Sequence, residues 1–248
     1  LERLGTIERI ALNKSELVQS LPSDGTAVLN GDDERVLAMR EVTRARVVAY
    51  GLDVDCDLHA THIESFGLKG VHFTLHDRQS GQQWRVRLPL LGRHSIHTAM
   101  AAAGAARAIG MEWNVIIPAL QELGAQVRLL VVAGYNGSTI IDDTYNASPD
   151  STIAALNLLE ELSGNRIAVL GDMLELGSYE QEGHLKVARR ASVVAGRLVV
   201  VGNLGRMIGE EALRVGMAPD RVFFASDNDQ VVEYLRRVLK PGDHVLVK

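Results

Sequence analysis

The sequence predicts an α/β protein in two parts, and three observations carry that reading. Between residues 55 and 90, apolar and polar residues alternate with period two in LHATHIES, VHFTLHD and QWRVRLPL, with turn residues between the runs. Such alternation marks half-buried antiparallel strands. From about residue 127 onward, short runs that are apolar throughout alternate with helical patterns, as in a mainly parallel sheet covered on both faces. The change falls near residue 126 with no long linker, so the expected division is 1–126 and 127–248, and 248 residues hold two domains of ordinary size.

Each element has its own reason. Residues 6–21 read as a helix: Thr6 can cap it, and Ile7, Ile10, Ala11, Leu17, Val18 and Leu21 form an apolar stripe. TAVLN (26–30) is a short buried strand, followed by a helix through Val36 and Met39, and ARVVAYG (45–51) is the next strand. After the alternating segments come two helices, at 95–110 and 113–124. Beyond the boundary, strands are expected near 128–133, at 138–142, in RIAVLG (166–171), RLVVVG (197–202) and RVFFAS (221–226), and in the closing DHVLVK. The helices between them fall at 149–163 and near 183–195, 206–215 and 229–239. Ser148-Pro149-Asp150 opens the first of these, with Ser148 as cap and Pro149 at the first helical position.

Composition narrows the function. A hydrophobic fraction of 46% with only 4% aromatics implies aliphatic cores. The net charge of −5 leaves no electrostatic footprint for nucleic acid or an anionic membrane. A single cysteine, Cys56, excludes an internal disulfide and a cysteine-based zinc site. No apolar run reaches membrane-spanning length, and the amphipathic, charged start LERLGTIERI is unlike a signal peptide. The expectation is a soluble, cytoplasmic, monomeric protein. The missing initiator Met and the ending inside GDHVLVK suggest a piece of a longer polypeptide.

In open α/β sheets, ligands bind beyond the carboxyl ends of the strands. Those ends carry Asp142, Asp143, Tyr145 and Asn146, then Asp172 and Glu175 in GDMLELG, then Gly202-Asn203 and Ser226-Asp227. Turn formation and helix capping would account for some of them, but the stretch 142–146 holds more polar groups than a two-residue connection needs. Lys14 is a second anomaly, since it lies on its helix's apolar stripe, seven residues after Ile7 and seven before Leu21. It is read either as a lysine whose amine snorkels to water or as a partly buried amine with a depressed pKa. Gly92, Arg93, His94 and Ser95 stand where a helix begins, a place that favours anions; an ordinary cap at Ser95 is the plainer reading. Asn30, Asp32 and Asp33 follow a strand and fit either a nucleotide's surroundings or a β-turn. The chain contains neither G-x-x-x-x-G-K-[ST] nor G-x-G-x-x-G, so it has no recognisable triphosphate grip or dinucleotide fingerprint.

Taken together, LERLGTIERIALNKSELVQSLPSDGTAVLNGDDERV, LPLLGRHSIHTAMAAAGAARAIG, IIDDTYNASPDSTIAALNLL, RIAVLGDMLELG and LKPGDHVLVK resemble the Mur ligases, in order and over nearly the whole chain. DDTYNASPDS and LGDMLELG resemble the branch that adds D-alanyl-D-alanine. The resemblance implies that residues 1–126 are the second half of a central P-loop-type ATPase domain with a mixed sheet, the P-loop itself missing. Residues 127–248 are then a Rossmann-like C-terminal domain with a mainly parallel sheet. It implies ATP and Mg²⁺ as cofactors, and UDP-N-acetylmuramoyl-tripeptide and D-alanyl-D-alanine as substrates joined through an acyl phosphate. Lys14 resembles the family's carbamylated, metal-binding lysine, and Arg128 the arginine that reaches the ATP phosphates. Asp143 resembles the aspartate that binds the ribose hydroxyls. His94 and the following positions resemble the adenine-side segment, although Ser95 and Thr98 stand where the family pattern has asparagines. Asn146, Asp172 and Glu175 are candidates for contacting the incoming dipeptide. Without its phosphate loop, the chain by itself is expected to be inactive. Two other readings are a related amide ligase of the folylpolyglutamate or cyanophycin synthetase type, and a non-catalytic relative serving as a binding scaffold.

Overall fold

The structure is a computed structural model that describes residues 5–122 and 129–248. These fall into two compact units, one on each side of the gap.

In the first unit, α1 (Ile7–Gln19) begins at Thr6, whose hydroxyl accepts the Arg9 N–H at 3.3 Å. Then come β1 (Thr26–Asn30), α2 (Glu34–Ala38), β2 (Arg46–Gly51), β3 (Leu58–Ser65), β4 (Val71–Asp77), β5 (Gln82–Leu88), α3 (Ser95–Ala108) and α4 (Trp113–Gln121). The strands form one sheet in the order β1-β2-β3-β4-β5. β1 and β2 pair in parallel, and β3, β4 and β5 form the antiparallel part that the alternation predicts. A short parallel pairing, Tyr50 to Leu58 and Gly51 to His59, joins the two halves.

β4 shows why the period is two: Val71, Phe73 and Leu75 are fully buried, while His72, Thr74 and His76 are half-buried on the other face. The buried face packs against Ile96, Met100 and Ala103 of α3 and Trp113, Ile116 and Leu120 of α4. Tethering of the Trp113 indole N–H to the Asp77 carboxylate at 3.0 Å fixes the start of α4 against the end of β4. The stripe on α1 is narrower than its sequence predicts. Val18 packs with Ala27, Leu29 and Met39, and Ser15 is buried, whereas Ile7 and Leu17 are 47% and 74% exposed.

The second unit contains β6 (Leu130–Ala133), β7 (Thr139–Asp142), α5 (Pro149–Glu160), β8 (Arg166–Leu170), α6 (Glu180–Val194), β9 (Arg197–Val201), α7 (Gly205–Arg214), β10 (Val222–Ala225), α8 (Asn228–Val238) and β11 (His244–Val247). The sheet order is β10-β9-β8-β11-β7-β6, parallel throughout except for the edge strand β6. Thus the last strand in sequence is inserted between β7 and β8. Its Val245 and Leu246 have no exposed surface, and Val245 shares a core with Ile167, Val199 and Val231. Ser148 caps α5 as expected, in a reciprocal arrangement with Ser151.

α6 and α7 are joined by charge. The Glu211 side chain, 3% exposed, lies between Arg189 and Arg214. Hydrogen bonds from Arg214 above all, outweighing the effect of burial and joined by those from Arg189, hold its carboxyl down from the usual 4.5 to about 2. Because the folded value lies below the unfolded one, this stabilisation is complete above about pH 4.5 and is lost as pH falls toward 2. The melting temperature of the chain should therefore drop through that window. Glu211→Gln should flatten the drop, which differential scanning calorimetry between pH 5 and pH 2 would show; parallel curves would mean that the carboxylate contributes nothing.

Candidate functional site

The second unit's strands end along one rim, where β9, β8, β11 and β7 deliver Gly202, Gly171-Asp172, Lys248 and Asp143 side by side. Main-chain bonds fix this order: Gly171 N–H donates to the Lys248 carbonyl, Lys248 N–H to the Val169 carbonyl, and Asp143 N–H to the Val247 carbonyl, all within 3.0 Å.

At its centre is a residue that the sequence reading overlooked. The Lys248 side chain is only 2% exposed, and its amine donates to an Asp143 carboxylate oxygen at 2.5 Å. It also donates to the Asn146 carbonyl at 2.9 Å and, more weakly, to the Asp143 carbonyl at 3.4 Å. The signal in the sequence was a lysine closing an otherwise apolar strand, VLVK. Around it the polar turn is spoken for residue by residue. Asp142 accepts from the Thr144 N–H and hydroxyl at 3.1 and 2.7 Å, an Asx turn. Asn146 accepts the Ala147 N–H at 2.9 Å. Thr144, Tyr145 and Asn146 remain exposed at the tip.

Asp172 lies on the same rim but serves the next helix. One of its oxygens accepts the Leu204 and Gly205 N–H groups at 2.9 and 2.7 Å, capping α7. A Cβ at Gly202, where φ is +92°, would stand 2.3 Å from that oxygen, so the turn requires glycine. The following residue, Met173, is held from behind. Its N–H donates to Nε2 of His184 at 3.1 Å, while Nδ1 of the same ring lies 2.7 Å from the Glu180 carbonyl. A carbonyl can only accept, so Nδ1 carries the proton, and the fully buried His184 is a second residue missed by sequence reasoning. Glu175 is exposed, with φ at +62°, a backbone region that non-glycine residues rarely enter.

In the first unit, of the two readings of Lys14 the partly buried amine is corrected: the residue is exposed. Its angular position is on the α1 stripe, but no described element of the first unit covers that part of the helix, as the exposure of Ile7 also shows. Before α3, Gly92 takes φ +76°, and a Cβ there would meet the His94 ring at 2.7 Å. His94 and Thr98 are exposed, one turn apart. Ser95 is the first residue of α3 rather than its cap, is 6% exposed, and donates its hydroxyl to the Leu91 carbonyl at 2.5 Å. Arg128 lies outside the described residues.

Asn30, Asp32 and Asp33 are engaged in local structure. Asn30 accepts the Asp32 N–H, and Asp33 caps α2. Asp32 receives the Leu52 N–H and the His97 ring at 2.8 and 2.7 Å. Burial alone would raise its carboxyl, but the bonds from Leu52, His97 and Asp53 together hold it below the usual range.

Two family models match the chain: "Mur ligase middle domain" over residues 1–106 and "Mur ligase, glutamate ligase domain" over residues 127–248. UDP-N-acetylmuramoyl-tripeptide–D-alanyl-D-alanine ligase of Mycobacterium tuberculosis is 37% identical to the whole of this chain, which covers 52% of that protein. The crystal structure of MurF from Acinetobacter baumannii aligns with all of the chain at a TM-score of 0.85 and 26% identity, with 53% of that structure covered. MurF ligase from Thermotoga maritima, in complex with ADP, aligns at 0.82 over all of this chain and 55% of its own, and at 24% identity it speaks for the fold alone. The chain spans about half the length of the curated relatives it matches.

Removing one partner of a buried ion pair strands the other and costs roughly 3–5 kcal/mol. Lys248→Met should therefore destabilise the second unit by about that much, and Lys248→Met combined with Asp143→Leu by less than the sum of the single changes. Urea denaturation of the four proteins of this cycle checks the coupling; strict additivity would show that the two groups do not depend on each other.

Proposed function

The chain belongs to the Mur ligase family, and on that premise we propose that it is part of an ATP-dependent ligase that joins D-alanyl-D-alanine to UDP-N-acetylmuramoyl-tripeptide in the cytoplasm. The observation that carries this reading is the Asp142–Asn146 turn, whose conformation is held by Lys248 at the rim where open α/β sheets bind ligands. The similarity to a ligase of that name over the full length of this chain supports it. In the proposed reaction ATP phosphorylates the tripeptide carboxylate. The free amine of D-alanyl-D-alanine then attacks the acyl carbon, loses a proton, and displaces inorganic phosphate.

Within that reaction, residues 1–126 act as the second half of the ATP-binding domain and residues 127–248 as the C-terminal domain. Asp143 commits one carboxylate oxygen to Lys248, and its other oxygen serves as acceptor for the ribose hydroxyls. Arg128 reaches the ATP phosphates, and His94 and Thr98 flank the adenine. Ser95 assists from behind, by seating the turn at Leu91. Asn146 and Glu175 meet the dipeptide from the rim, and Asp172 supports them by fixing the start of α7.

The described residues do not by themselves build a magnesium site. No three His, Cys, Asp or Glu side chains among them converge as metal ligands, and Lys14 is exposed. The contribution assigned to Lys14 is an amine open to carbon dioxide, whose carbamate is a hard oxygen ligand of the kind Mg²⁺ takes.

Kinetics of the full-length ligase test these roles. Asp143→Ala should raise the KM for ATP by roughly tenfold, the worth of one or two hydrogen bonds, and that for D-alanyl-D-alanine far less; the reverse pattern would sink the ribose assignment. Lys14→Ala should abolish ligation, and near-normal turnover would return Lys14 to a solvated surface lysine.

A further inference from the structure

The opposite edge of the second unit's sheet, where the parallel strands begin, carries a feature that the ligase reading does not use. A cavity of about 310 Å³ opens there, with Arg166, Arg197, Arg221 and Lys240 on its walls against, among the described residues, a single carboxylate, that of Asp243. Asp243 is 3% exposed, and its oxygens already accept the Asn165 amide at 2.9 Å and the Lys240 N–H at 2.8 Å. The three guanidinium groups are braced by neutral acceptors. Arg166 donates to the Glu160 carbonyl at 3.0 Å, and Arg197 to the Asp220 carbonyl and the Tyr234 hydroxyl, both at 3.2 Å. Arg221 donates to the Gly196 and Ala195 carbonyls at 2.7 and 2.9 Å.

Among the described residues, none of the four cations pairs with a carboxylate, whereas Arg85, Arg189, Arg190, Arg206 and Arg214 all do. Four like charges around one cavity, in a chain whose net charge is −5, repel one another unless an anion lies between them. Guanidinium groups oriented in advance by main-chain carbonyls keep further N–H donors for such an anion, with little freedom left to lose on binding it.

We propose that this cavity binds a small polyanion carrying two or more phosphate groups. The cations come from four separate chain segments, at the starts of β8 and β9 and ahead of β10 and β11, so they suit charge spread over linked tetrahedral groups better than one compact ion. The volume is at the lower end of small-molecule sites, which fits a di- or triphosphate and leaves an extended acidic peptide without a groove.

The test titrates the 248-residue chain with tripolyphosphate, ADP and citrate at constant physiological ionic strength, by isothermal calorimetry. Tripolyphosphate should bind saturably, and Lys240→Gln and Arg166→Gln should each weaken it about tenfold or more, as loss of one charge-assisted bond implies. Lys186→Gln, which removes a remote surface cation paired with Asp150, should leave it unchanged. The Lys240 amine makes no hydrogen bond to a described residue, so that variant keeps the test open if Arg166→Gln fails to fold. ADP binding that weakens in the same variants identifies a nucleotide as the source of the phosphates; tripolyphosphate binding without ADP binding identifies a free polyphosphate. No saturable binding, equal affinity in wild type and Lys240→Gln, or citrate binding as tightly as tripolyphosphate would each overturn the proposal.

Discussion

A lysine amine withdrawn from water at the end of the second unit's central strand constrains everything around it. Desolvating an ammonium group costs several kcal/mol unless charge and hydrogen bonds compensate. For Lys248 the compensation among the described residues comes from the turn after β7: one carboxylate and two carbonyls, from Asp143 and Asn146. That turn cannot relax without leaving the cation unpaired. The density of polar residues between Asp142 and Ser148 follows from this. Asp142 shapes the bend, Asp143 neutralises the lysine, Asn146 turns the chain toward the helix, and Ser148 starts it. What is left for a ligand is the exposed tip and the carboxylate oxygen of Asp143 not engaged by Lys248.

The elements were legible in the sequence because each carries a period. Residues 26–30, 58–65 and 71–77 are strands whose observed ends coincide with the apolar pattern, and the alternation in VHFTLHD reappears as buried and half-buried positions in turn. The order of the strands was not legible, because β11 enters between β7 and β8 through contacts that no local period records. The site was partly legible for a related reason. A helical wheel gives the direction of Lys14 but not whether anything covers that direction, so the stripe could not decide between a buried amine and one reaching water. Asp172 and Asp32 stood out as acids after strands, yet both accept main-chain N–H groups from the next connection along the sheet. Lys248 and His184 escaped notice because their partners lie 105 and 11 residues away, and a polar residue's value to a fold depends on partners that sequence proximity does not reveal.

The two edges of the second unit's sheet have opposite electrical character, and its architecture explains why. In each strand-helix-strand passage the helix starts at the edge where strands finish and ends at the edge where they begin. Helix starts carry partial positive charge and favour acids; helix ends favour cations. Asp172 at the start of α7 and Asp227 at the start of α8 follow this rule on one edge, where the bonds donated by Gln230 and Ser226 hold the Asp227 carboxyl low. On the other edge, Arg166 binds the carbonyl of Glu160, the last residue of α5, and Arg221 that of Ala195, which ends α6.

Capping accounts for why arginines occupy the strand-starting edge, but not for their number around one cavity. A helix end is satisfied by one or two donors, and a neutral side chain can supply them. Arg197 bonds neither helix end, reaching the Asp220 carbonyl and a tyrosine hydroxyl instead, and Lys240 contributes its charge without any side-chain bond to a described residue. If capping alone had placed these groups, the acids available elsewhere in a chain of net charge −5 would be expected to pair with them, as they pair with the arginines of α6 and α7. The one acid among the described residues lining the cavity, Asp243, is turned into the structure and bound to Asn165 and the main chain. Helix ends therefore explain where the positive edge lies, and the lack of a counter-charge among the described residues explains why that edge is suited to an anion from solution.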